Sequence, residues 1–205
     1  MEGTRTQDQA TEDRIFDAAN AVFLEAGFDG ARMKEIARRA GINHSMLHYY
    51  FRTKGQLFDD VFRRTAKEFM PPILETLRAD DDLLSKTDAF IVRYHETLRR
   101  NPHMPAFMMQ ELRRNPQALG ELAGSMLGEV VGILQVDIAK AVAAGRIRPI
   151  SAEDLIANLL GLCVYPFLAR PMLEAVFEAE TPAYDQFLDN RPETVQRFMR
   201  HALAP

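Results

Sequence analysis

Apolar residues recur three and four positions apart along nearly the whole chain, and nowhere do they alternate singly over a strand's length. The pattern predicts helices throughout. Thr11 reads as an N-cap, with Glu12 and Asp13 in the favourable first turn. Ile15, Ala18, Ala19, Val22, Phe23 and Ala26 then share one face until Gly27. Met33, Ile36, Ala37 and Ala40 repeat the pattern over a shorter span that Gly41 should stop, because glycine supplies the left-handed residue that ends helices. Asn43 can cap a third short helix whose inner face is Leu47 and Phe51. Thr53 with Gln56 forms a capping box for a fourth, whose stripe is Leu57, Phe58, Val61, Phe62 and Phe69, until Pro71 and Pro72 kink or end it.

Beyond the prolines the same signals predict helices over Asp82 to Arg99 and Met104 to Arg113. A long helix should open at Asn115 and Pro116 and reach Ala144 before Gly145. Ser151 with Asp154 opens an almost wholly apolar helix through Leu168, in which Pro166 removes the hydrogen bond to the Leu162 carbonyl and should kink the helix or mark its end. A last helix should run from about Pro192 to Ala202. Gly120, Gly124, Gly128 and Gly132 stand at four-residue spacing in the long helix, each costing about 0.8 to 1 kcal/mol relative to alanine. Either the ridge admits another helix closely, or the helix borders a pocket and bends there.

Two short helices joined by a turn at Gly41 form a helix-turn-helix, whose second helix suits the major groove of DNA. With Leu47 and Phe51 inside, His44, Ser45, His48 and Tyr49 must face outward, where they can bond base edges or phosphates. Lys54 stands at the start of the next helix, where its charge and free backbone N–H groups favour a phosphate.

The run from Gly27 to Leu57, GFDGARMKEIARRAGINHSMLHYYFRTKGQL, resembles the DNA-binding motif of TetR-type (tetracycline-repressor-like) transcriptional regulators. The matching features are the Gly-aromatic pair after helix 1, Ile36-Ala37, the Ala-Gly-Ile turn, Leu47, Tyr50-Phe51, and Lys54 followed by Leu57. The resemblance implies an all-α fold, with a helix-turn-helix three-helix head (residues 1–54) joined to a larger helical effector-binding and dimerisation domain (55–205). Carried across, the base contacts fall on Asn43, His44, Ser45, Met46 and Tyr49, and the phosphate contacts on Arg32, Lys34, His48, Tyr50 and Lys54. Tyr50 could equally pack under helix 1. The chain departs from the family pattern at Ala31-Arg32, Ser45 and His48. Arg32 in place of a hydroxyl exchanges a neutral phosphate contact for a charge-assisted one while weakening the cap of helix 2.

Charge distribution supports a polyanionic partner more than the total does. The formal net charge is −4, yet Arg32 to Lys67 holds nine basic residues against three acidic ones. A basic patch on an acidic body attracts polyanions locally. Cys163 is the only cysteine, so no intrachain disulfide or cysteine cluster can form, which fits a cytoplasmic location. The most apolar run, Leu155 to Ala169, is shorter than a bilayer span, and no membrane is expected as a partner. His44 and His48 are four apart and could chelate a metal, but no acid or cysteine stands nearby to complete a ligand set. No nucleophile-base pair and no glycine-rich phosphate loop stands out, so neither an enzyme nor a cofactor is expected.

The resemblance further implies a homodimer, formed through the helices around 151–170 and 192–202, that binds a pseudo-palindromic double-stranded operator. A repressor released by a small apolar effector is the leading reading, ahead of an activator or an effector-independent DNA binder. A helical enzyme or ligand carrier is a remote alternative. Phe90, Tyr94, Phe107 and Met108 offer an adaptable apolar lining, with Glu111 or His103 for polarity and Gly128 on the glycine ridge. The same methionines and aromatics, at helical spacing, also suit a plain core.

Overall fold

Local capping chemistry sets the first four helices. A computed structural model describes the backbone of residues 2–177 and 181–205, and the side chains of these except 2–7, 117–123, 125–127, 181 and 182. The described residues contain twelve helices and no strand, and they divide into two compact units, residues 1–69 and 70–205.

In the first unit α1 (Glu2–Gly30) is interrupted at Gly27, where φ is 67° and ψ 179°; α2 (Met33–Ala40) ends at Gly41, with φ 68° and ψ 33°. Ile42 N–H closes that turn on the Ala37 carbonyl at 3.0 Å. In α3 (His44–Tyr50) the Asn43 side chain accepts from Met46 N–H at 2.7 Å, and before α4 (Lys54–Phe69) Thr53 Oγ1 accepts from Gln56 N–H at 3.1 Å. Each cap satisfies a helix-end N–H that would otherwise lack a partner. Leu47 and Phe51 are buried, as are Ile15, Val22, Phe23, Ile36, Leu57, Phe58 and Val61. Phe58 is the hub of the aromatic packing, edge-on to Phe23 at 4.8 Å and to Phe28 at 5.1 Å.

Two expectations change here. Thr11 does not cap α1, which begins nine residues earlier; Thr11 is buried within it and accepts from Arg14 at 3.2 Å. The unit boundary falls after Phe69 and not after residue 54, because the stripe from Leu57 to Phe62 packs on α1 and so keeps α4 with the head.

The second unit holds α5 (Pro71–Arg78), α6 (Leu83–Arg100), α7 (Met104–Arg114), α8 (Pro116–Ala143), α9 (Ala152–Leu168), α10 (Arg170–Val176), α11 (Thr181–Asp189) and α12 (Arg191–Leu203). The central element is α6, which packs on α5, α8, α9 and α12 through residues that include Leu83, Phe90, Ile91 and Leu98. Lys86 reaches across to Asp137 on α8 at 2.6 Å, and both side chains are largely withdrawn from solvent. Gly145, with φ 66°, follows α8 as expected, and Ser151 Oγ accepts from Asp154 N–H at 3.0 Å to cap α9.

The sequence pattern missed α5, α10 and α11. Pro71 and Pro72 mark a start as well as a stop, since proline is at home in a first helical turn. Within α10 no residue is buried, so it has no apolar stripe to read. Helix α9 runs through Pro166 to Leu168 and is followed by a bend of 74° into α10. The Leu162 carbonyl that Pro166 leaves without its helical donor accepts instead from Arg191 at 3.2 Å, and Tyr184 donates to the Pro166 carbonyl at 2.6 Å.

Candidate functional site

The outward face of α3 is assembled by burying its inner one. With Leu47 fully buried, the helical period leaves Ser45, Met46, His48 and Tyr49 exposed, His44 and Tyr50 half-buried. Tyr49 is 82% exposed, far more than a ring kept for packing needs. His44 and His48 lie edge to face at 4.5 Å, and Tyr49 and Tyr50 at 5.5 Å, so the rings form two adjoining pairs along the helix. Tyr50 donates to Asp8 on α1 at 2.7 Å, which raises its pKa and ties α3 to α1. Asn43 uses its side-chain oxygen as the cap, leaving the amide nitrogen for a base or phosphate.

The basic residues around this face sort into two kinds. Arg38 and Arg39 both bond Glu35, at 2.6 and 2.8 Å, and Arg39 also grips Glu25. These bonds, Arg38's first and then Arg39's, hold the Glu35 carboxyl down at about 2. Arg63 and Arg64 likewise have acidic partners, Asp60 and Asp13. Arg32, Lys34 and Arg52 are exposed and make no ion pair among the described residues. Arg32 stands at the N-cap of α2 with no side-chain cap bond, matching the weakened cap expected for it. Arg52, directly after the C-cap of α3, was not singled out from the sequence; its being unpaired is visible only once the neighbouring arginines are seen to be neutralised.

Lys54 is placed differently from expectation. Its ammonium donates to the carbonyls of Phe28 at 2.7 Å, Ala31 at 3.2 Å and Asp29 at 3.4 Å, and lies 4.5 Å from the centre of the Phe28 ring. Its three protons meet the carbonyls where α1 ends, so in this structure it closes a helix terminus and is not left free for phosphate.

In the second unit the expected ligand residues scatter into separate roles. Phe90 and Tyr94 are ring neighbours at 5.4 Å on α6, and burial pushes the Tyr94 phenol pKa up. Phe107 is buried and Met108 half-buried on α7. Glu111 is not an open polar group. It is 1% exposed and clasped in two bonds by Arg114, at 2.7 and 3.0 Å. His103 is exposed. A side chain added at Gly124, Gly128 or Gly132 would meet nothing within 4 Å, so among the described residues no other helix is packed against the ridge at those three positions; Gly120 lies outside the described side chains. Two polar residues that the sequence reading passed over are His95 and Arg191, each with a buried nitrogen lacking a partner. No spacing motif marks them, because what isolates them is the packing of α6, α9 and α12.

An all-helical chain with a capped helix-turn-helix at one end and a larger helical unit behind it in sequence defines a class of DNA-binding regulators. Residues 15–61 match the family model described as bacterial regulatory proteins, tetR family. The HTH-type transcriptional repressor NicS of Pseudomonas putida is 30% identical over 168 residues, covering 77% of each chain. The HTH-type transcriptional regulator RutR of Escherichia coli (strain K12) is 29% identical over 197 residues, covering 96% of this chain and 92% of that one. The crystal structure of SCO4942 from Streptomyces coelicolor superposes with a TM-score of 0.69 at 18% identity, covering 94% and 98%, and so shares the fold. The chain belongs to the TetR family and is a transcriptional regulator, not an enzyme.

Proposed function

We propose that the chain is a homodimeric repressor that reads a pseudo-palindromic operator through α3 and lets go when a small apolar molecule occupies the second unit. The observation that carries the DNA reading is the outward face of α3, with Tyr49 82% exposed beside Ser45, Met46 and His48, next to three basic residues without ion pairs. In this reading Asn43, His44, Ser45, Met46 and Tyr49 meet bases, while Arg32, Lys34, Arg52, His48 and Tyr50 meet phosphates. Lys54 supports the interface from behind by fixing the frame.

The dimer reading draws on α9, α10 and α12, where Leu160, Tyr165, Leu168, Met172, Val176 and Phe198 are 38% to 67% exposed. So much large apolar surface on neighbouring helices suits a subunit contact. One short recognition helix reads few bases, and two-fold symmetry doubles the site. The repressor named among its relatives supports the direction of control. In the cytoplasm such a protein would meet its operator directly.

The test is binding to DNA recovered with the purified protein from its own genome, measured by fluorescence anisotropy at several salt concentrations. Tyr49→Ala should change sequence preference, whereas Lys34→Ala should weaken binding alike on all sequences. If both variants bound like the wild type, the interface would be elsewhere. Light scattering of Tyr165→Glu should show a shift from dimer to monomer.

A further inference from the structure

The second unit pairs its buried charges with care, and one exception stands out. Lys86 has Asp137 at 2.6 Å, and the buried Glu111 has Arg114. Arg191, the first residue of α12, has no carboxylate partner among the described residues. Its one polar contact is the donation of Nη2 to the Leu162 carbonyl, and its Nε is buried and unpartnered. Burial lowers its pKa, and the groups that oppose this are the Cys163 thiol and the Tyr184 hydroxyl. Neither is an anion in this setting, since burial pushes Cys163 up to about 12 and raises Tyr184 as well.

On α6, His95 is 5% exposed and its Nε2 has no partner. The Arg191 charge is close enough to act on the imidazole, which sits 5.6 Å from the Phe167 ring on α9. Tyr94 adjoins His95 in sequence and is close enough to Cys163 for the two to influence each other. Thus α6, α9 and the start of α12 bring together a guanidinium without a carboxylate partner and an imidazole that is bonded to the Leu188 backbone but has a free Nε2, in an apolar surround. Buried charges and buried polar atoms in native proteins are otherwise paired.

We propose that this junction binds a small organic anion, a single carboxylate on an apolar body, with Arg191 as its charge partner and His95 as a second hydrogen-bonding group. One unpaired guanidinium matches one negative charge. The neighbouring cations are already committed, Arg99 to Asp185 and Asp189 and Arg170 to Glu174, so a dianion such as a phosphate monoester would carry an excess charge into the site. The planar fork of arginine suits a carboxylate in particular. The inference deepens the effector reading above and rests on it for the link to DNA release.

The test is thermal melting of the full-length protein with benzoate, phenylacetate and hexanoate, each compared at matched ionic strength with its own neutral amide. At least one acid should raise Tm by about 5 °C or more near saturation while its amide does not. Arg191→Met should abolish that response; its own Tm moves by the balance of losing an unpaired charge and losing the donor to the Leu162 carbonyl. His95→Phe should weaken the same acid about tenfold and supplies the decision if Arg191→Met folds poorly. The proposal falls if no acid separates from its amide, or if the response survives both substitutions. Operator binding in the presence of a bound acid separates the two readings. An acid that stabilises the protein through Arg191 yet leaves DNA affinity unchanged upholds the site and overturns effector-controlled release.

Discussion

The two units differ in where they keep an unpaired positive charge. In residues 1–69 Arg38, Arg39, Arg63 and Arg64 are neutralised by Glu35, Glu25, Asp60 and Asp13, and Arg32, Lys34 and Arg52, which make no ion pair among the described residues, are out in solvent. In residues 70–205 several exposed basic residues are likewise unpaired among the described residues, but one unpaired cation, Arg191, is half-buried, with its guanidinium on the Leu162 carbonyl. A surface for a long polyanion needs charges that release counterions along a track. A pocket for one small anion needs a single charge kept from water, where each interaction counts for more. On the proposals above, the same residue type would serve different partners according to how far it is withdrawn from solvent.

The sharpest break of this comparison is Leu47→Ala. Leu47 is fully buried, and its truncation should cost about 2 to 5 kcal/mol. Hydrogen exchange should show the loss of protection confined to residues 1–69; equal loss in 70–205 would mean that the units do not fold independently. Lys54→Ala comes next, at about 1.5 to 3 kcal/mol for hydrogen bonds to a charged group. It should lower the stability of the first unit together with DNA affinity, whereas Arg32→Ala should spare stability and reduce the salt slope of binding by about 1.

Matched glycines test the units against each other. Gly41→Ala and Gly145→Ala place a side chain at φ 68° and 66°, in positions where nothing else comes closer than 3.9 Å. Each should cost about 1 to 2 kcal/mol from backbone strain alone, but only Gly41→Ala should also weaken DNA binding, as it shifts α3.

Acid provides a gentler probe. The folded-state pKa of Glu35 is depressed from 4.5 to about 2, so its stabilising contribution is present above 4.5 and is lost as pH falls towards 2. Glu35→Gln should flatten that part of the acid-unfolding curve of the first unit and leave the second unit's unchanged. Smallest of all, Gly128→Ala should raise stability by about 0.8 to 1 kcal/mol, because the added methyl meets nothing. A loss of stability there would place a partner on the ridge.

What could be read from the chain beforehand was whatever depends on near neighbours. Gly41, Asn43 and Thr53 act within a few residues, and each does what its local chemistry requires. The inward set of Leu47 and Phe51, and hence the outward face of α3, follows from the helical period alone. Lys54 and Arg191 were not legible, because their partners are backbone carbonyls made available by distant events. One set lies at the end of α1 and the other carbonyl is released by Pro166. The pairing of Glu111 and the open space at the glycine ridge were hidden for a related reason. Spacing shows which face a residue shares, not whether that face is already occupied.

The grip of Lys54 on Phe28 has a consequence for entropy. The two residues are 26 apart in sequence, and the whole of α2 and α3 lies between them. Their contact closes that segment into a ring without a covalent bond. A closed ring has fewer shapes to explore than an open strand of equal length. The recognition helix therefore meets DNA with much of its wandering already removed, and association need not pay again for ordering it.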